Sequence, residues 1–439
     1  MSVNFEIERF ESETMEHLLG DYWIRVSDQI QLLNRLIFFE WASARVIAGW
    51  VPAASEFDWK CVMSKMIWEN MTIADRLRMR KEELSGKSKI TIPSKRFHEF
   101  LQDASAAEGF VPFVSGWFME VTKAVIETYE ALQSRLDPIF DAPTLDILNE
   151  IITKKRNHLN WANGLVRDAV HRKEVLSSVG AWRKFIQHYL QQIGGIEEQN
   201  PANGASKPHS PVSTPHGPAP KKRSCPQWLK VGSYDVVPDQ FKDSLKIFMW
   251  HYATEIQVLD PMCYVFYGVD DMPFEFYVDF SRHIWDESRH HLMGMRRLRQ
   301  LGYDAKDIPV PYSEDALQEL EYFYAMLTMV GESCSFTRKK KSMDAYYRKG
   351  DIISGMTAEI DIVDERSHVQ FGKKWATAIY KQRFDRDVSL DDVVKEVMDR
   401  SMKERAADFE NMGEAEKQSI SQLAFCGKIE FKYLNYENL

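Results

Sequence analysis

Residues 286–290 read Asp-Glu-Ser-Arg-His, and residues 364–368 read Asp-Glu-Arg-Ser-His. Each stretch holds Glu-x-x-His. On a helix, residues three apart share a face, so Glu287 with His290, and Glu365 with His368, can aim a carboxylate and an imidazole at one ion. Glu255 stands 32 residues before Glu287, and Glu332 stands 33 before Glu365. Those lengths suit a chain that runs along one helix, turns, and climbs its antiparallel neighbour to the same height. The order Glu, Glu-x-x-His, Glu, Glu-x-x-His is the one with which a four-helix bundle holds two metal ions in its core.

The apolar pattern supports that reading. Glu255 continues the stripe Phe241, Leu245, Phe248, Tyr252, and Glu287 falls among Phe280, Ile284, Met295 and Leu298. A carboxylate on an apolar face is costly when charged and unpaired. Two divalent ions would neutralise four glutamates alongside two neutral histidines. Glutamate and histidine together suit iron, manganese or zinc. Any single glutamate here reads as a buried ion pair or a surface helix charge. Six residues in order with two near-equal spacings favour ligation.

These segments resemble the ferritin-like superfamily of carboxylate-bridged di-iron proteins, which includes rubrerythrins, ribonucleotide reductase small subunits, acyl-carrier desaturases and bacterial multicomponent monooxygenases. The resemblance covers roughly residues 238–381. It implies an all-α fold with a ferritin-like four-helix bundle in the C-terminal half. By motif position it implies Glu255, Glu287, His290, Glu332, Glu365 and His368 as the metal ligands and catalytic residues. It implies two iron ions, with manganese as the alternative, and O2 as co-substrate. By the same likeness Asp286 would orient His368 and Asp364 would orient His290, fixing each tautomer. His283 would be a further ligand, as in similar arylamine oxygenases, or a proton donor; the competing reading is a partly exposed or capping histidine.

One departure concerns Gly294, where radical-storing reductase subunits carry a tyrosine. A glycine here leaves room for a substrate or for a close neighbouring helix, the second being preferred. Tyr252 reads as a core residue rather than an oxidisable one. Glu359 and Asp361 read as solvated helix charge, with a role in shaping access as the alternative. The run Arg338-Lys339-Lys340-Lys341 reads as a cap for the negative end of the third ligand helix, or as a receiver for an acidic substrate or partner. The stretch Tyr264–Phe280 lines an apolar pocket or packs the bundle end.

The expected function is that of an O2-activating non-haem di-iron oxidase or oxygenase acting on a small organic or carrier-bound substrate, by hydroxylation, desaturation, cleavage or N-oxygenation. A ferroxidase or iron-handling protein without an organic substrate is one alternative, and a helical scaffold with a vestigial metal site is another. An electron-donor protein is a candidate partner, and homodimerisation is left open.

The 439 residues, 44% hydrophobic and 28% charged, exclude a wholly disordered chain, a collagen-like repeat and a disulfide mini-scaffold. A net charge of -9 argues against nucleic acid. Cys61, Cys225, Cys263, Cys334 and Cys426 form no Cys-x-x-Cys pair, so they read as free thiols in a reducing compartment. No run is long and apolar enough for a membrane span, and the first twenty residues do not read as a secretory signal. A cytoplasmic protein is expected.

Residues 197–227 carry seven prolines between Pro201 and Pro226 and read as a flexible linker. Its end, Lys221-Lys222-Arg223, reads as solvated, with a nuclear-targeting or nucleic-acid patch as the alternative. The linker separates an expected helical domain, 1–196, from the metal-binding domain, 228–439, so deleting residues 1–195 is expected to leave metal binding intact. Helices are expected near 26–48, 58–84, 113–134 and 143–170, then near 238–259, 275–301, 314–337, 353–381 and 389–411, with a short extended piece at 428–433. Ile67-Trp68-Glu69-Asn70 resembles Ile284-Trp285-Asp286-Glu287, and Arg156-Asn157-His158 resembles Arg366-Ser367-His368. These matches fit a degenerate duplication and chance equally. The first half has Asn70, Ile73 and Lys155 where the second has Glu287, His290 and Glu365, and keeps only His158. A lysine there repels cations, so the first half is expected to be metal-free, serving structure or partner docking.

Overall fold

A computed structural model describes residues 24–170, 176–199, 207–232, 237–242, 246–312 and 319–411. The described residues are all-helical apart from one parallel pairing, Val231–Gly232 with Val310–Pro311. The expected strand at 428–433 lies outside them. No helix among them is long and apolar enough to cross a membrane.

The chain divides into two units, residues 1–43 with 72–217, and residues 44–71 with 218–439. This differs from a division at a 197–227 linker. The first unit takes in Lys95–Ser105, residues 110–134, Ala142–Val170 and Leu176–Ile193. Its core includes Phe39, Phe113 and Trp117, stacked ring on ring. There Lys155 is buried, donates to Glu40, and is joined by Tyr129, whose hydroxyl donates to the same carboxylate at 2.9 Å. Ile73 and His158 are buried there as well, whereas Asn70, also buried, belongs to the second unit.

In the second unit a helical bundle is formed by Lys246–Thr254 with Ile256–Gly268, by Phe274–Gln300, by residues 320–348, and by Ile352–Phe384; Leu390–Asn411 follows. Asp351 caps the start of Ile352–Phe384 by accepting from Ser354 N at 3.1 Å. Phe274–Gln300 ends at Gly302, whose φ of +92° only glycine adopts freely, while Tyr303 N closes back on Leu298 O. Two helices depart from the expected smooth course. The predicted 238–259 helix is instead a short turn at Asp239–Phe241 followed by two helices broken at Glu255. The break has a visible cause: Glu255 N bonds Tyr252 O, and Val258 N bonds Glu255 O, a tighter i to i−3 pattern. The predicted 314–337 helix begins at Leu320, passes through a π-helical turn at Met326–Glu332 and continues to Arg348.

Residues 218–227 are irregular, with Ala219 at a φ of +52°, yet they are docked by hydrogen bonds. Ala219 N donates to Gly49 O, and Ser224 N to Pro52 O, both at 2.7 Å. Tyr264 donates its hydroxyl to Pro220 O. Arg223, expected to be solvated, is buried, and two neighbours explain why, the helix beneath and the ring of Tyr312. Pro261 lacks the N–H that would bond Gln257 O, and Arg223 donates to that freed carbonyl at 3.0 Å. Its guanidinium also lies 3.7 Å from the centre of the Tyr312 ring. Beside it, Lys60 donates to both oxygens of Asp260 at 2.8 and 2.9 Å, and Tyr312 donates to the same carboxylate at 2.7 Å. Lys60 and Asp260 are wholly buried. Residues 44–71 therefore cannot be cut away with the N-terminal part, because removing 1–195 would leave Asp260 without Lys60. Trp68 and Trp285, which the sequence aligns with each other, are stacked 4.3 Å apart in this unit.

Asp260→Ala is expected to cost about 3–5 kcal/mol of stability, since it strands a buried ammonium. Urea denaturation followed by circular dichroism measures this. The double variant Lys60→Met/Asp260→Leu is expected to recover most of the loss.

Candidate metal centre

Phe274–Gln300 and Ile352–Phe384 present the same string of side chains toward the bundle core. The first carries His283, Glu287, His290 and Gly294; the second carries Asp361, Glu365, His368 and Gly372. Both keep the spacing four, three, four. Neither glycine admits a substrate. A Cβ on Gly294 would lie 2.3 Å from Ala253 N and 2.7 Å from Met249 O, and one on Gly372 would lie 2.4 Å from Thr328 Oγ1. Each glycine thus lets a second helix approach closely, the one ending near Glu255 and the other carrying Glu332. The π turn at Met326–Glu332 ends on Glu332 itself.

All six sequence-predicted ligands meet in this core, and two more groups join them. His283, Glu287, Glu332 and His368 offer one ligand atom each, all within 4.8 Å of one another. Glu255, His290, Asp361 and Glu365 do the same within 4.8 Å. His283 is neither exposed nor a cap: its Nε2 lies 2.7 Å from Glu332 Oε1 and 3.3 Å from Glu287 Oε1. Asp361, expected as solvated charge, is wholly buried, whereas Glu359 is exposed and accepts from Tyr347. Tyr252 does more than pack, since its hydroxyl donates to Asp361 Oδ2 at 3.0 Å. His290 Nδ1 sits 3.1 Å from Glu255 Oε2 and 3.6 Å from Asp361 Oδ1.

Around this set lies a shell of opposite charges. His290 Nε2 contacts Asp364 Oδ2, and His368 Nε2 contacts Asp286 Oδ2, each at 3.3 Å. Both Nδ1 atoms are thereby left facing the core. Arg282 donates to Asp286 at 2.8 Å, and Arg289 donates to Asp286 and Asp364. The guanidiniums lie over Trp285, at 5.3 and 5.2 Å from its ring centre. His291, next to His290, is tied off separately: its Nδ1 donates to Ala253 O at 2.6 Å. The aromatic stretch 264–280 packs the bundle end, with Phe276 and Phe280 against Tyr324 at 5.5 and 5.2 Å.

Lys339 was not legible as part of this centre. It belongs to the basic run read as a helix cap, yet residues 336–348 continue as helix and Lys339 is buried. Its ammonium donates to Asp361 Oδ1 at 2.9 Å and to Glu365 Oε1 at 2.6 Å. Its neighbours Lys340 and Lys341 are exposed. Two signals were available in the sequence. Lys339 stands seven residues, two helical turns, after Glu332. Asp361 precedes Glu365 by the same four residues that separate His283 from Glu287.

The electrostatics record a shortage of positive charge. Burial pushes Glu365 well above the ordinary carboxylate range and lifts Glu255 up to about 7. Burial opposes ionisation of Glu332 too, but the adjacent His283 and His368 outweigh it and bring Glu332 down to about 2. Burial likewise works against a charged His283, yet Glu332 and Glu287 raise it to about 10. Lys339 is held charged by Asp361 and Glu365 against its own burial.

The fit to a metal pair is testable on the buried atoms left without hydrogen bonds. These include Glu255 Oε2, Glu287 Oε1, His290 Nδ1, Glu332 Oε2, Glu365 Oε2 and His368 Nδ1, one from each sequence-predicted ligand. Orphaned buried acceptors are rare in folded proteins. Here they converge from four helical segments on two points, and the carboxylate and imidazole donors suit iron or manganese.

Residues 197–410 match the model of a family described as "Protein of unknown function (DUF455)". The match is confined to that span. No curated protein and no solved structure matches the chain. The matched span contains every candidate ligand, Lys339, Asp286 and Asp364.

Gly294→Ala and Gly372→Ala are each expected to destabilise the protein by about 1–3 kcal/mol through forced separation of packed helices. Thermal melts measure the loss. Gly302→Ala, at an exposed helix end, serves as a comparison in which only backbone strain is added.

Proposed function

We propose that the second unit is a ferritin-like bundle holding two divalent metal ions, iron with manganese as the alternative, and that the protein is an O2-activating oxidoreductase. The observation that supports this most is the convergence of unpartnered buried carboxylate and imidazole atoms from four helical segments. A ferrous pair would supply the electrons for reduction of O2 and a Lewis-acidic seat for it.

The chain's own residues then have distinct tasks. His283, Glu287, Glu332 and His368 hold one ion. Glu255, His290 and Glu365 hold the other, with Asp361 beside them. Asp286 and Asp364 fix the tautomers in which Nδ1 of His368 and His290 is free to ligate. Arg282 and Arg289 neutralise those aspartates and keep them from competing for the ions. Phe276, Phe280 and Tyr324 wall the His283 side with apolar surface, which keeps water from the reacting atoms. The substrate class proposed is a small organic or carrier-bound molecule.

Anaerobic loading with Fe(II) is expected to give two iron ions per chain by elemental analysis, and Glu332→Ala is expected to retain one. Exposure of the loaded protein to O2 is expected to produce an ultraviolet-visible transient whose decay responds to members of a substrate panel, with products identified by mass spectrometry. A transient indifferent to every substrate while iron is oxidised and retained would assign the protein to iron handling instead. Absence of iron binding in the folded protein would refute the proposal. Asp364→Ala is expected to weaken metal binding by roughly 10- to 100-fold, because His290 loses its orienting partner.

A further inference from the structure

The two ligand groups are built alike but not charged alike. The group around Glu332 has two imidazoles, His283 and His368, and two carboxylates, Glu287 and Glu332. At the position corresponding to His283, the other group has Asp361 and so only one imidazole, His290. It also has a resident cation: Lys339 bonds Asp361 Oδ1 and Glu365 Oε1, taking one oxygen from each of two carboxylates of the four-residue group. Tyr252 occupies the remaining oxygen of Asp361. Glu365 retains one unpartnered oxygen, Oε2, and Glu255 and His290 retain Oε2 and Nδ1. Among the described residues no lysine or arginine is paired with a carboxylate of the His283 group; histidines are its partners, His283 and His368 from within and His290 Nδ1 at 3.9 Å from Glu287.

Resting on the proposed metal-binding reading, we infer that the two positions load in order. The His283–Glu287–Glu332–His368 position binds its ion first and tightly. The Glu255–His290–Glu365 position binds second and more weakly, because the Lys339 ammonium repels the incoming ion and holds two of its nearest carboxylates. Lys339 is thus a positioning residue that makes the pair unequal. A divalent ion feels that ammonium across a buried site, so removing its charge should tighten the second step by roughly 10-fold or more.

The test is anaerobic titration of the full-length metal-free protein with Co(II), followed by calorimetry and by visible d–d absorbance. Two separable steps are expected in the wild-type protein. Glu332→Ala is expected to remove the tight step and Glu255→Ala the weak one. Lys339→Met is expected to draw the second step toward the first, whereas Lys339→Arg, which keeps the charge, is expected to leave the steps apart. Circular dichroism melts establish that each variant is folded. Two wild-type steps of equal affinity would overturn the inference while leaving the metal-binding reading standing; no Co(II) binding would overturn that reading itself. A folded Lys339→Met with an unaltered second step would also overturn the inference. If that variant does not fold, the wild-type titration and the two glutamate variants decide.

Discussion

Five carboxylates, Glu255, Glu287, Glu332, Asp361 and Glu365, are drawn together in the core of one helical bundle with three histidines, and among the described lysines and arginines only Lys339 reaches into them. With the histidines neutral, as ligation requires, and the carboxylates ionised, five negative charges against one positive leave four, the charge of two divalent ions. Burial makes an unneutralised set of this kind expensive, so the bundle is stable in this form only if protons or cations are supplied. The raised affinity of Glu255 and Glu365 for protons is the same demand expressed in another way. Other features of the centre arrange how that demand is met: the aspartates behind each histidine, the arginines behind the aspartates, and the tyrosine on Asp361.

The helices answer a geometric problem posed by the same charges. Carboxylates from neighbouring helices share an ion only if the backbones come close. Gly294 and Gly372, each one turn after its motif's histidine, remove the side chain that would hold the neighbour away. On the other side of each contact the partner helix is locally irregular, broken at Glu255 and wound into a π turn ending at Glu332. Irregular backbone at those two glutamates fits the proposed role of reaching an ion that the two regular helices would mainly hold.

How much of this was readable depended on whether the information is local. The Glu-x-x-His repeats lie on single helices and obey helical spacing, so they and their all-α setting could be read from residues 286–290 and 364–368. The pairing of Asp286 with His368 and of Asp364 with His290 spans helices, and came into view only through resemblance. Lys339 is obscured by composition: three basic neighbours make the run read as a helix cap, although Lys339 stands two turns after Glu332. Asp361 reads as solvated charge because an aspartate in one string stands where the parallel string has a histidine, so the likeness of the two is not visible in residue type. Arg223 misleads for the reverse reason. Its proline-rich surroundings argue correctly against a helix, but backbone that cannot be helical can still be bound, and Pro261 leaves a carbonyl that needs a donor. The place of residues 44–71 beside 218–439 rests on Lys60 and Asp260, two hundred residues apart, which no local pattern connects.

The protein contains an internal comparison that clarifies what the lysine in the candidate centre does. In the first unit Lys155 donates to Glu40, and Tyr129 donates to the other oxygen of that carboxylate. One ammonium meets one carboxylate, a tyrosine completes its hydrogen bonds, and the charge balance is closed by side chains alone. In the second unit Lys339 and Tyr252 treat Asp361 in the same way, with a tyrosine on one oxygen and an ammonium on the other. Four carboxylates then remain, carrying unpartnered oxygens and facing paired imidazoles. The Lys–Tyr device thus removes the fifth acid from the account and leaves a set matched to two divalent ions. On this argument Asp361 serves as the anchor for Lys339 rather than as an equal ligand, and the proposed order of loading follows from where that anchor lies: it sits beside His290 and Glu365, not beside His283.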